Sequence, residues 1–187
     1  MYIIMCLLIE TRVIEELAVG FRYIIRKNRK SCGSPQLFYK EALVIFRIVY
    51  SLFDEDILKE VCGFEMGYIS FVFGDKNEVY DDLNHQPFMI FLTISELILG
   101  FVEYEEKKLS SKEVIAVDSS YSLRFVRNDK MTDLVVNNDF TITVDTKIML
   151  REIYCSSIDF CKGYDSSLLT SVKSDLDYAF DKISKMI

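Results

Sequence analysis

Histidine is the side chain that most readily holds and moves a proton near neutral pH, and this chain of 187 residues has only one, His85. It follows Asp81 and Asp82 and stands just before Pro87. Any Ser–His–Asp or Cys–His relay would have to be built on it. A loop beside a proline is a place where histidine more commonly caps or faces solvent, so the sequence offers no catalytic set and reads as a non-enzyme. Phosphate-cradling loops of the GxGxxG or GxxxxGK[ST] kind do not occur, nor does HExxH or a DxDxDG calcium loop. No cofactor is expected.

Carboxylates are the abundant reactive groups. Asp54, Glu55, Asp56, Asp75, Glu78, Asp81, Asp82, Glu103, Glu105 and Glu106 all fall in the middle of the chain. Hydrolysis with a divalent metal would need several of them to converge on one ion. Each group instead sits where an element is expected to begin or end, so no metal site is assigned, and a metal-dependent hydrolase stays as an alternative. The other use of such residues is a surface. Brought to one face, they would steer a basic protein partner, with Tyr80 and Tyr104 as aromatic anchors. Glu96 differs in kind, because Leu92, Ile94, Leu97, Ile98 and Leu99 surround it. It is expected to mark the wet edge of an otherwise apolar helix; buried, its pKa would rise.

Composition narrows the class of partner. With 22 basic against 29 acidic residues the net charge is −7, which repels phosphate backbones, so nucleic acid is not expected as a ligand. Arg26, Lys27, Arg29 and Lys30 form the one dense basic run, and they complement the C-terminal dipole of a helix expected over 10–27. The five cysteines, Cys6, Cys32, Cys62, Cys155 and Cys161, are odd in number and form no CxxC pair. They are expected to be reduced and mostly buried, in a cytoplasmic setting. Residues 1–9 are apolar but lack a basic leader and a cleavage site, and 88–102 fall short of the roughly 20 residues a membrane helix needs. No membrane association is expected.

The elements that must position these residues follow from periodicity. A loop at 31–35 places Ser34 as N-cap and Pro35 at the first position of a helix running to about 53, apolar on most faces. Asp54, Glu55 and Asp56 then cap a short turn ending near Gly63. A strand is expected over 68–73, with a turn at 74–77 and residues 78–80 pairing back on it. Pro87 opens an apolar helix ending near Glu106. Four strands follow, over 113–117, 121–127, 132–136 and 140–144. Tyr121, Leu123 and Phe125 alternate with Ser122 and Arg124, while Phe140, Ile142 and Val144 alternate with Thr141 and Thr143. Asn128-Asp129-Lys130 and Asn137-Asn138 sit where hairpin turns belong. Asp145 caps a helix ending at Gly163, and Leu169, Val172, Leu176, Ala179, Phe180 and Ile183 stripe a last one. The fold class is α+β in one domain, an antiparallel β-meander over about 113–144 packed against several helices.

In this style the chain resembles the immunity proteins of bacterial contact-dependent and polymorphic toxin systems. The resemblance lies in an acidic chain without a catalytic set, and in the run from Tyr121-Ser122-Leu123-Arg124-Phe125 through Phe140-Thr141-Ile142-Thr143-Val144-Asp145 into a helix. It implies a cognate toxin domain, often a nuclease with a basic cleft, neutralised by tight one-to-one binding. It assigns a role to no individual residue. A regulatory adaptor or homo-oligomeric module, using the apolar stripes of the terminal helices, remains the further alternative, and the oligomeric state is left open.

Overall fold

The computed structural model describes residues 45–53, 61–74, 78–80 and 86–187. The helix expected over 10–27, the loop at 31–35, the acidic turn after residue 53 and the loop holding His85 lie outside the described residues.

Two antiparallel sheets and three helices make up the described fold, an α+β architecture. In the first sheet, β1 (Ile45–Leu52) pairs along its whole length with β2 (Met66–Gly74). The opposite side of β2 takes β3 (Glu78–Tyr80) near its end and β4 (Phe88–Met89) near its start. The return of residues 78–80 onto β2 is as the sequence suggested. Strand β1 corrects the sequence reading, which ran a helix to about residue 53. Phe46, Ile48 and Tyr50 are buried while Arg47 and Val49 are exposed, a period of two rather than 3.6. A short run rich in β-branched and aromatic residues fits a pleated, half-buried surface as well as a buried helix, and eight register pairs with β2 decide for the strand.

The second sheet is the expected meander, in the order β5 (Ser111–Ile115), β6 (Ser122–Asn128), β7 (Met131–Val136) and β8 (Phe140–Asp145). Asp129 turns the β6–β7 hairpin at φ +56°, and Asn137 and Asn138 turn the next at +51° and +59°. These are left-handed positions that Asn and Asp tolerate because their short polar side chains bond locally.

Between the sheets and the remaining helices runs α1 (Ile90–Glu106), apolar on nearly every face and correspondingly buried. Phe101 and Tyr104 pack on Phe125 of β6, with ring centroids 4.9 and 5.8 Å away. At the other end of α1, Phe91 meets Phe160 and Tyr164. Phe160 belongs to α2 (Thr146–Lys162), which Asp145 caps by accepting from the backbone N–H groups of Lys147 and Ile148. Val172, Leu176, Ala179 and Ile183, the buried stripe of α3 (Thr170–Ser184), join the same core. None of the helices among the described residues is long and apolar enough to cross a membrane.

Candidate partner-binding groove

Of the acidic residues singled out in the sequence, Asp54, Glu55, Asp56, Asp75, Asp81 and Asp82 lie outside the described residues. Glu78 and Tyr80 belong to β3, in register with Phe73 and Phe71 of β2. Glu103, Tyr104, Glu105 and Glu106 form the last turn of α1.

Tyr104 is not a surface anchor. It lies three residues from Phe101 on the inner stripe of α1 and is fully buried, its hydroxyl 3.3 Å from Thr132 Oγ1. Its three neighbours do face outward, but two are neutralised by the chain's own cations. Glu105 accepts from Arg127 at 2.8 Å and from Lys108 at 3.2 Å. Glu103 accepts hydrogen bonds from Lys107 first and Lys112 second, which hold its carboxyl down to about 2. Glu106 stays exposed.

Arg127 organises this corner. Its Nε donates to Leu109 C=O and its Nη2 to Tyr104 C=O, both at 3.0 Å, and the guanidinium lies 4.4 Å from the centre of the Tyr104 ring. A helix leaves its last carbonyls without intrahelical partners, and here a cation from β6 takes one up while complementing the negative end of the dipole.

Glu103 also borders a groove that the sequence did not assemble. Glu96, exposed on the wet edge of α1 as its sequence setting suggested, aligns with Leu99, Gly100 and Glu103 at spacings of three and four. This stripe and residues 112–115 of β5 enclose an open groove of about 320 Å³. Gly100 lets the two elements approach this closely, since a Cβ there would run into the Val114 side chain. Leu99 and Val114 supply an apolar floor, and Glu96 and Glu103 an acidic rim beside Lys112; Glu113 borders the groove from β5 but, alternating with Val114, turns its side chain to the outer face of the sheet, opposite Arg124 of β6. Neither Glu96 nor Glu113 has an ion-pair partner among the described residues. Ile115, at 59% exposed, extends the apolar surface past the groove's end.

The backbone of β5 faces the same way. Ala116 N–H donates to Tyr121 C=O at 2.8 Å and Arg127 N–H to Ser110 C=O at 2.9 Å, both in the β5–β6 register. Bonded and non-bonded pairs alternate in an antiparallel ladder, so residues 110, 112, 114 and 116 bond to β6. Ser111, Glu113 and Ile115 therefore direct their N–H and C=O groups away from it. As β5 ends the sheet, those groups have no hydrogen-bond partner among the described residues.

Neither Cys155 nor Cys161 sits in a reactive microenvironment. Cys161 is buried, and burial together with Asp165 pushes its thiol up to about 12. Cys155 is exposed, contrary to the expectation of mostly buried cysteines, yet burial of its sulfur and the nearby Glu152 and Asp159 raise its pKa as well. Both stay protonated at neutral pH. No cluster of three metal-ligating side chains occurs among the described residues.

Sequence reasoning singled out Glu96 and Glu103 but missed Gly100, Lys112, Glu113 and Ile115 as surface-forming residues. The alternation over 113–117 signalled the strand; its position at the edge of the sheet, beside α1, carried no local signal. No protein-family model, curated protein or solved structure matches the chain.

Proposed function

We propose that the protein is a non-catalytic inhibitor of the immunity type, which neutralises a basic toxin domain by binding it one-to-one and covering its active site. The observation that carries the reading is the groove between α1 and β5, where Glu96 and Glu103 rim an apolar floor, Glu96 has no ion-pair partner among the described residues, and exposed Glu113 stands on the adjoining outer face of β5. Such a surface suits a basic polypeptide, because complementary potentials speed encounter and apolar contacts at the centre hold the complex. A nuclease cleft lined with cations to grip phosphate is a surface of that kind. The net charge of −7 acts in the same direction at longer range.

The test is neutralisation of the toxin encoded beside this gene. Purified protein is expected to abolish the toxin's activity at equimolar amounts. The double charge reversal Glu96→Lys with Glu113→Lys is expected to restore that activity. A toxin that stays active with excess wild-type protein would contradict the proposal.

A further inference from the structure

We propose that the partner is held by strand addition: an extended, basic segment pairs antiparallel or parallel with the edge of β5 that is unpaired among the described residues, and lies against the flank of α1. This deepens the inhibitory reading and rests on it for the partner's identity, although the binding mode can be tested alone.

Three independent features meet at this edge. The first is hydrogen-bonding capacity. Ser111, Glu113 and Ile115 present three N–H and three C=O groups away from β6, in the row that a further strand would take up. The second is a place for side chains. A strand added beside β5 turns alternate residues toward α1, where Leu99, Gly100 and Val114 form the groove floor. Branched aliphatic residues fit there. The third is charge. The intervening residues of the added strand stand on the outer face, opposite or diagonal to Glu113, and Glu96 rims the inner side. Lysine or arginine at those positions meets Glu113 from the side away from Arg124, which stands opposite it on β6 without forming an ion pair, or meets Glu96, which has no ion-pair partner among the described residues.

A second copy of the chain is a poorer occupant. Only odd-numbered residues of β5 can bond outward, and the antiparallel self-pairing that uses the whole strand sets Glu113 directly against Glu113. Like charges placed opposite each other disfavour that pairing, so Glu113 repels self-association while attracting a basic strand. The other edge of this sheet, β8, directs Thr141 and Thr143 outward by the same alternation, since Thr146 N–H bonds Lys130 C=O in the β7–β8 register. Thr141 and Thr143 carry no charge, and Asp145, the remaining outward residue, spends its carboxylate on the cap of α2, which makes this edge an internal control.

The probe is an end-blocked peptide of alternating lysine and valine, compared with its glutamate–valine counterpart. Binding is followed by amide hydrogen exchange resolved by residue in the full-length protein. The expected result is slowed exchange at Ser111, Glu113 and Ile115 with the lysine peptide only. Glu113→Pro removes one outward N–H and no bond to β6, so it is expected to weaken the peptide at least about tenfold. Thr141→Pro, at an outward position of β8, is expected to change affinity less than about twofold. Should Glu113→Pro unfold the protein, Glu113→Lys replaces it, with the preference expected to move from the lysine peptide to the glutamate peptide. Equal binding of both peptides, unchanged exchange at the three amides, or a homodimer that protects them in the free protein would overturn strand addition. A toxin neutralised equally well by Glu113→Pro would also overturn it while leaving the inhibitory reading intact. A lysine peptide that binds at β5 beside a toxin that does not bind supports strand addition and removes the inhibitory reading.

Discussion

Replacing Arg127 by methionine is expected to unfasten the C-terminal end of α1 from the second sheet. The guanidinium donates to Leu109 C=O and Tyr104 C=O at 3.0 Å and to Glu105 at 2.8 Å, and it lies over the Tyr104 ring. A hydrogen bond from a charged donor contributes roughly 1.5–3 kcal/mol, and a cation over an aromatic face about 0.5–1 kcal/mol where water has access. These contributions do not sum. The arginine side chain is 23% exposed, so water relieves part of each loss, and Glu105 keeps Lys108 as a counter-ion. Methionine retains the packing of the stem, which leaves about 3 kcal/mol as the expected destabilisation. Arg127→Lys should fall between, at about 1.5–2 kcal/mol, because an ammonium cannot span both carbonyls with a planar fork. Urea unfolding followed by circular dichroism measures both through the shift in midpoint at constant slope. A loss under about 1 kcal/mol for Arg127→Met, or a lysine variant equal to wild type, would refute the assignment of Arg127 as the cap of α1.

Gly100→Ala gains about 1 kcal/mol in helix propensity, yet its Cβ meets the Val114 side chain, so a net loss of about 1–2 kcal/mol in urea unfolding is expected, with the groove widened. Tyr50→Phe strands the Ser157 hydroxyl, which lies 2.9 Å from the Tyr50 hydroxyl in a buried setting, at a cost of about 1–2 kcal/mol. Adding Ser157→Ala should recover most of that in a double-mutant cycle, since both polar groups are then gone. Burial raises the pKa of Glu65, but the backbone N–H groups of Cys62 and Gly63, at 2.6 and 2.7 Å, and that of Glu65 itself outweigh it, so the folded value lies below the ordinary carboxylate range. A depressed folded pKa contributes stability that is present above the unfolded value and lost as pH falls through the folded one. Glu65→Gln should therefore flatten the acid side of a plot of thermal midpoint against pH, while leaving its neutral-to-alkaline shape unchanged.

The meander was readable in the sequence because its alternation is locally complete: each strand carries its own inward and outward residues, and Asp129, Asn137 and Asn138 mark left-handed turns. Asp145 and Gly163 bounded α2 for the same reason, one as a capping carboxylate and the other as a terminator. Strand β1 was misread because an apolar run over 45–52 satisfies both periods until its partner is known, and that partner does not begin until Met66, across residues that include some outside the described structure. Tyr104 was misplaced by its acidic neighbours. Helical geometry puts it with Phe101 rather than with Glu103 and Glu105, and only the packing on Phe125 shows which stripe faces inward. The groove was beyond local reading altogether, since it depends on the β5–β6 register, the edge position of β5 and the missing side chain at Gly100.

The most direct test of the inhibitory account is a calorimetric titration of the purified protein with the toxin domain encoded beside it, at low and at physiological salt. The account predicts one-to-one binding at nanomolar affinity or tighter, weakening as salt rises, and weakening at least about a hundredfold when Glu96 and Glu113 are both replaced by lysine. No heat of binding at either salt concentration, or an affinity indifferent to both salt and the two substitutions, would contradict it.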